Sequence, residues 1–231
     1  IGLGPQPCFS NSVVELSLGA GSRLTHVMVQ EEAQQGVHVS TTGVRLGQGA
    51  ICDSFILNAG GRLVRREVHT VFADTGGEFR IQGAYLVHGG QHSDITTLID
   101  HRSPGCTSHE VIKGVIDGNG RAVFQGKIHV APGAQKTDGY QLNRALLLSD
   151  AAEIDSKPEL EIHADDVKCS HGATAGELDD QALFYLRSRG IDETTARHLL
   201  VQAFLAEVVD GIRDENIRAA ISGVVGRHMA G

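Results

Sequence analysis

From about residue 11 to residue 166 the chain alternates apolar and polar positions with a period of two. Val14, Leu16 and Leu18 alternate with Glu15 and Ser17, and Phe124, Gly126, Ile128 and Val130 alternate with Gln125, Lys127 and His129. In Phe79, Ile81, Gly83, Tyr85 and Val87 the same rhythm runs against Arg80, Gln82 and Ala84. Successive side chains of a strand point to opposite faces, so this rhythm predicts strands with one buried face. Glycines punctuate the strands at Gly19-Gly21, Gly47-Gly49, Gly60-Gly61, Gly76-Gly77, Gly89-Gly90 and Gly118-Gly120. Leu18-Gly19-Ala20-Gly21 and Leu46-Gly47-Gln48-Gly49 stand 28 positions apart, with Gly60 near the middle and Gly76 near the end of the next interval. Two strands per repeat is what the stacked coils of a parallel β-helix need. A β-sandwich also carries turn signals every 8–12 residues or so. The longer period favours the solenoid.

The period changes after Glu177. Asp179 is placed to cap a helix carrying Ala182, Leu183 and Leu186 that Gly190 stops. Asp192 is placed to cap a second, with Ala196, Leu199, Leu200, Ala203, Phe204 and Val208 at helical spacing. Asp214 is placed to cap a third, with Ile217, Ile221, Val224 and Val225 inward. The expected organisation is a β-helix core over residues 1–168 and a small helical domain over residues 169–231. The leucine-rich stretch Asn143 to Leu148 is expected to form an exposed sheet edge that pairs with another chain.

Composition narrows the function classes. The 231 residues carry a formal charge of −8, which disfavours a nucleic-acid or anionic-membrane binder, since both want a basic face. No window approaches 18 uninterrupted apolar residues, so no membrane span is expected. The four cysteines, Cys8, Cys52, Cys106 and Cys169, are widely spaced and form no C-x-x-C, which argues against a disulfide framework and for a reducing, cytoplasmic setting. Neither a P-loop nor a G-x-S-x-G elbow occurs, so ATP hydrolysis and serine-hydrolase chemistry are not expected of this chain.

The candidate chemistry lies between Lys157 and Gly190. The run opens as a strand, with Leu160, Ile162 and Ala164 on one face and Glu159, Glu161 and His163 on the other. Cys169 and His171 follow two apart, where the strand is expected to give way to helix. A soft thiolate and an imidazole suit transient metal or cluster handling, although two donors are half a tetrahedral set. The other histidines invite a metal-enzyme reading that their spacing does not support. His88 and His92 flank Gly89-Gly90 and are expected in a solvated turn, and His101, Pro104, Cys106 and His109 in an irregular connection, with Cys106 partly buried. A β-helix enzyme acting on polysaccharide would need an acidic ladder on one face, and a cupin-like metal-dependent oxidoreductase would need a spaced H-x-H set. These remain the alternative readings.

Several runs carry a resemblance. They are Lys157-Pro158-Glu159-Leu160-Glu161-Ile162, Asp165 through Thr174 (DDVKCSHGAT) and Phe184-Tyr185-Leu186-Arg187-Ser188-Arg189-Gly190, with Gly120 through Ile128 and Gln135-Lys136-Thr137-Asp138-Gly139 upstream. They closely resemble the SufB/SufD family of iron–sulfur cluster assembly scaffolds, and the SufD branch more than the SufB branch. The resemblance implies a right-handed parallel β-helix core and a non-enzymatic scaffold. It implies pairing with SufB, or with a second copy when SufB is missing, and docking of the ATPase SufC on the helical region. It maps His171, with Cys169 beside it, onto the position implicated in building a transient iron–sulfur cluster at the subunit interface. Phe184, Tyr185, Leu186 and Arg187 are the expected ATPase-binding residues. Family members carry a further N-terminal region, so a sequence opening at Ile1 without Met is expected to be part of a longer chain.

Overall fold

The computed structural model describes residues 7–229, so the first six residues of the expected core and the last two of the tail lie outside it. Twelve strands, β1 (Phe9–Leu18), β2 (Arg23–Gln30), β3 (Val37–Leu46), β4 (Ile51–Asn58), β5 (Leu63–Phe72), β6 (Glu78–Val87), β7 (His92–His101), β8 (Thr107–Ile116), β9 (Arg121–Val130), β10 (Asp138–Leu147), β11 (Glu153–Ile162) and β12 (Lys168–Gly176), precede three helices, α1 (Asp180–Ser188), α2 (Glu193–Val209) and α3 (Glu215–Met229). Odd strands form one parallel six-stranded sheet, β1-β3-β5-β7-β9-β11, and even strands the other, β12-β10-β8-β6-β4-β2. The chain therefore passes from sheet to sheet at each turn, and each coil stacks on the one before. This is the β-helix that the glycine-spaced repeat predicts.

The repeat is visible in the register. Leu18 lies opposite Leu46, and Arg23 opposite Ile51, each one 28-residue coil apart. One corner recurs in left-handed backbone conformation at Gly21, Gly49, Gly76 and Gly105, with φ between 61° and 70°, and at Lys136 with φ 62°. The corners are tied to one another. The amides of Gly21, Gly49 and Gly105 donate to the carbonyls of Gln48, Thr75 and Gln135 in the following coil. Glycine occupies this corner four times because it alone takes positive φ without a Cβ clash. Inward files from both sheets, including Leu46, Phe72, Phe79, Ile81, Ile95, Ile99, Phe124 and Ile128, fill the solenoid.

Strict alternation fails where the outer face is also covered. Phe55, Ile56 and Leu57 are all buried on β4, because α2 and α3 lie over the outside of the even sheet. Val201, Leu205 and Val208 of α2 and Ile221 and Val225 of α3 pack with Phe55, Leu57, Ala84, Leu86 and Val115. Full burial of such side chains contributes about 1.5–3 kcal/mol each. Lys113 on β8 pins α2 from below. It is almost wholly buried, its ammonium donates to the Phe204 carbonyl at 2.9 Å and to Glu207, and it sits 4.4 Å from the centre of the Phe204 ring.

Three sequence expectations change here. The strand-to-helix transition falls after Gly176, not at residue 168, because β12 stacks in register on β10. The apolar stripe of α2 is rotated. Ala196, Val201, Leu205, Val208 and Val209 are buried, whereas Leu199 is 42% exposed, because Val201 and Leu205 supply the contact with the sheet. The Asn143–Leu148 stretch is not an edge, since β10 is paired on both sides and Asn143 is buried. At this end of the solenoid the open edges are β11 and β12. The three acidic caps are where the sequence places them. Asp179 accepts from Gln181 and Ala182, Asp192 from Thr195, and Asp214 from Asn216 and Ile217.

Candidate functional site

Cys169 and His171 stand on β12, the last strand of the even sheet. Their partners across the ladder are Gly139 and Gln141, both buried inside the solenoid. In-register stacking passes that orientation on, so Cys169 and His171 belong to the inward file of the terminal coil. Among the described residues no thirteenth strand covers β12 in its sheet. His171 is therefore exposed although it occupies a core-facing position, and Cys169 is half-buried against the core. Two residues apart on one strand face, the two donors point to the same side. Burial pushes the Cys169 thiol above its usual range, with a hydrogen bond from the Gly139 backbone opposing it. A thiol becomes a metal ligand only by giving up its proton, so a raised pKa makes that step harder.

A polar column runs inward beneath His171. Gln141 lies below it, Glu110 below Gln141, and the fully buried Ile81 ends the column. Gln141 Nε2 donates to Glu110 Oε2 at 2.7 Å, and Thr97 Oγ1, from the facing sheet, donates to the same oxygen at 3.1 Å. Glu110 is fully buried, and that burial raises its pKa to about 7 against the two hydrogen bonds. Gly126 makes room for the column, since a Cβ there would stand 2.2 Å from Gln141 Nε2. The sequence reading missed Glu110, Gln141 and Thr97. Their signal is polar residues recurring one coil apart on inward positions.

The other expected site residues are on α1. Phe184 is 74% and Tyr185 56% exposed, Leu186 is half-buried, and Arg187 is exposed and paired with Glu193 at 3.3 Å. Arg189 lies over the Tyr185 ring at 5.2 Å. The helix has no buried residue, and its aromatic side chains are exposed. The structure does not gather the His101–His109 stretch into a metal site. His101 stacks on Phe72 at 4.3 Å and bonds Ser108 Oγ, His109 stacks on Tyr140, and Cys106 is buried with its thiol facing the backbone carbonyls of Asp74 and Pro104. Among the described residues no helix is long and apolar enough to cross a membrane.

Residues 3–204 match the family model for the SUF system FeS cluster assembly, SufBD core domain. The chain is 35% identical to the iron–sulfur cluster assembly protein SufD of Escherichia coli, over 96% of this chain and 53% of that protein. It is 38% identical to a SufBD family iron–sulfur cluster assembly protein of Synechocystis, over 90% of this chain and 46% of the relative. The protein ABCI7, chloroplastic, of Arabidopsis thaliana is 33% identical over 91% of this chain and 44% of its own length. The chain spans about half the length of these curated relatives. The solenoid, the open terminal strand with its Cys-Ser-His run and these matches together make the chain a SufD-like member of the SufBD family of iron–sulfur cluster assembly proteins.

Proposed function

We propose that this chain is a non-enzymatic scaffold subunit that pairs with a SufB-type subunit and a SufC-type ATPase, and that the complex builds a nascent iron–sulfur cluster and passes it on as cargo. The observation that carries the reading is the placement of Cys169 and His171 on an inward file that no further coil among the described residues covers. A partner solenoid adding its last coil to β11 and β12 would close the file and bring a second donor set over these two residues. Open strand edges attract such pairing. A second copy of this chain is the occupant expected when SufB is absent. A mixed thiolate and imidazole set, contributed in part by each chain, suits a cluster that must leave again. The nucleotide chemistry comes from the partner, since the sequence carries no P-loop. Four free thiols fit a reducing, cytoplasmic setting.

Anaerobic reconstitution with iron and a sulfide source tests the reading. Visible absorption of a protein-bound cluster should rise when SufB and SufC partners are present and stay low with this chain alone. Failure to co-purify with either partner, or equal cluster loading without them, would overturn it.

The ATPase partner is expected on α1. A paired aromatic and arginine on an exposed helix is the composition of an interface anchor. Tyr185→Ala with Arg187→Ala should weaken SufC binding about tenfold or more by calorimetry, with the far-ultraviolet dichroism of the solenoid unchanged. Unaltered affinity would remove α1 from the interface.

A further inference from the structure

A second group of metal donors lies outside the Cys169–His171 site, on the outer face of the odd sheet. The register stacks Asp100 of β7, His129 of β9 and Glu161 of β11 in one column across three coils. His163, two residues beyond Glu161, returns to the same face. One nitrogen of each imidazole and one oxygen of Glu161 all lie within 4.8 Å of one another. Ile128 and Val130, the neighbours of His129, are buried in the core, so the His129 ring is held on the outer face by a rigid strand. We propose that His129, Glu161 and His163 form an exchangeable site for a divalent first-row transition ion across the last two coils of the odd sheet.

Three features beyond proximity support this. First, the donor set is two imidazoles and one carboxylate, which favours ions such as Zn²⁺, Co²⁺ or Fe²⁺ over Mg²⁺ or Ca²⁺ and leaves coordination positions open. Second, His129 already has the support a ligand histidine needs. Its Nδ1 is 2.7 Å from Asp100 Oδ1, and Asp100 is itself held by Arg102 at 2.6 Å. A carboxylate on Nδ1 fixes the tautomer and leaves Nε2 for an ion. Third, the two remaining donors are already joined, His163 Nε2 to Glu161 Oε1 at 2.9 Å, while Lys127 holds the other carboxylate oxygen, Oε2. Metal bonds of about 2.0–2.1 Å require donors about 3.3 Å apart, so closing the set takes small rotations of partly exposed side chains. Lys127 opposes an incoming cation, and this gives the proposal a signature of its own.

The test is anaerobic titration of the metal-stripped chain with Co²⁺, read by ligand-field absorption, followed by displacement with Zn²⁺. It is run in the Cys169→Ser, His171→Ala background, so that the terminal-strand donors contribute nothing. One ion per chain is expected. His129→Ala and His163→Ala should each weaken binding at least tenfold, Asp100→Asn should weaken it less, and Lys127→Met should tighten it. Circular dichroism of each variant separates lost ligands from lost fold. Stoichiometric binding that survives both histidine substitutions, or no binding below millimolar Co²⁺, would overturn the site.

Discussion

His171→Ala should leave the solenoid folded and its partners bound, yet cut cluster yield per assembled complex by about a hundredfold. The two halves of this expectation have separate causes. His171 is exposed on the last strand, and it is neither a cap nor part of the buried Gln141–Glu110–Thr97 network. Substitutions at such positions usually change stability by no more than about 0.5 kcal/mol. The chemical loss is larger because, in the proposed role, a ligand is removed outright. Changes one shell further out already cost about 10–100-fold in metal affinity. Cys169→Ser separates the two donors. If the thiol shares the cargo, the serine variant should lose yield too. If Cys169 only packs against the core, its loss should lower stability and leave yield per folded complex intact. Cluster absorption, normalised to complex isolated by gel filtration, decides the matter. A His171→Ala complex that assembles cluster at the wild-type rate would reduce this residue to a former of the terminal strand.

The fold was legible in the sequence because two of its requirements are local. Period-two alternation marks strands such as β5 and β9, whose outer faces are open. The positive-φ corner favours glycine and takes it at Gly21, Gly49 and Gly76, so the coil length is written in residue type. The caps Asp179, Asp192 and Asp214 were legible for the same reason, each serving amides two or three residues away. What stayed hidden was set by neighbours in space. The β12 segment KCSHGATAG has no apolar alternation of its own and is a strand because it stacks on β10. Leu199 was placed inward by helical spacing, but the sheet surface under α2 chose Val201 and Leu205. The His129 column escaped because its members, Asp100, His129 and Glu161, sit about one coil apart in sequence. Searching at the four-residue spacing of a helix, or the two-residue spacing of a strand, cannot find them. The coil period is the spacing that matters in this architecture, for donors and for the buried Glu110–Gln141 pair alike.

That buried pair leads to the second large effect, which is a pH dependence. Burial raises the Glu110 pKa from 4.5 to about 7, while the hydrogen bonds from Gln141 and Thr97 pull it partly back. The folded chain therefore keeps this proton up to about pH 7, whereas the unfolded chain releases it near pH 4.5. Between those values the folded state binds the extra proton, so its stability falls as pH rises, and the loss is complete above about pH 7. Glu110→Gln removes the titration. The amide keeps an oxygen for Thr97 and gains donors, and Gln141 Oε1 is a buried acceptor without a partner. At pH 8 the variant should be more stable than wild type by about 2 to 3 kcal/mol, a gap that closes towards pH 5. Urea unfolding under reducing conditions at both pH values measures it. The difference between variant and wild type cancels every other titrating group. Parallel stability curves for the two proteins would mean that Glu110 is ionised in the fold, and the column beneath His171 would then carry a negative charge at neutral pH. A neutral column that shapes the floor of the site and a charged one that would draw cations towards His171 are therefore separated by the same experiment.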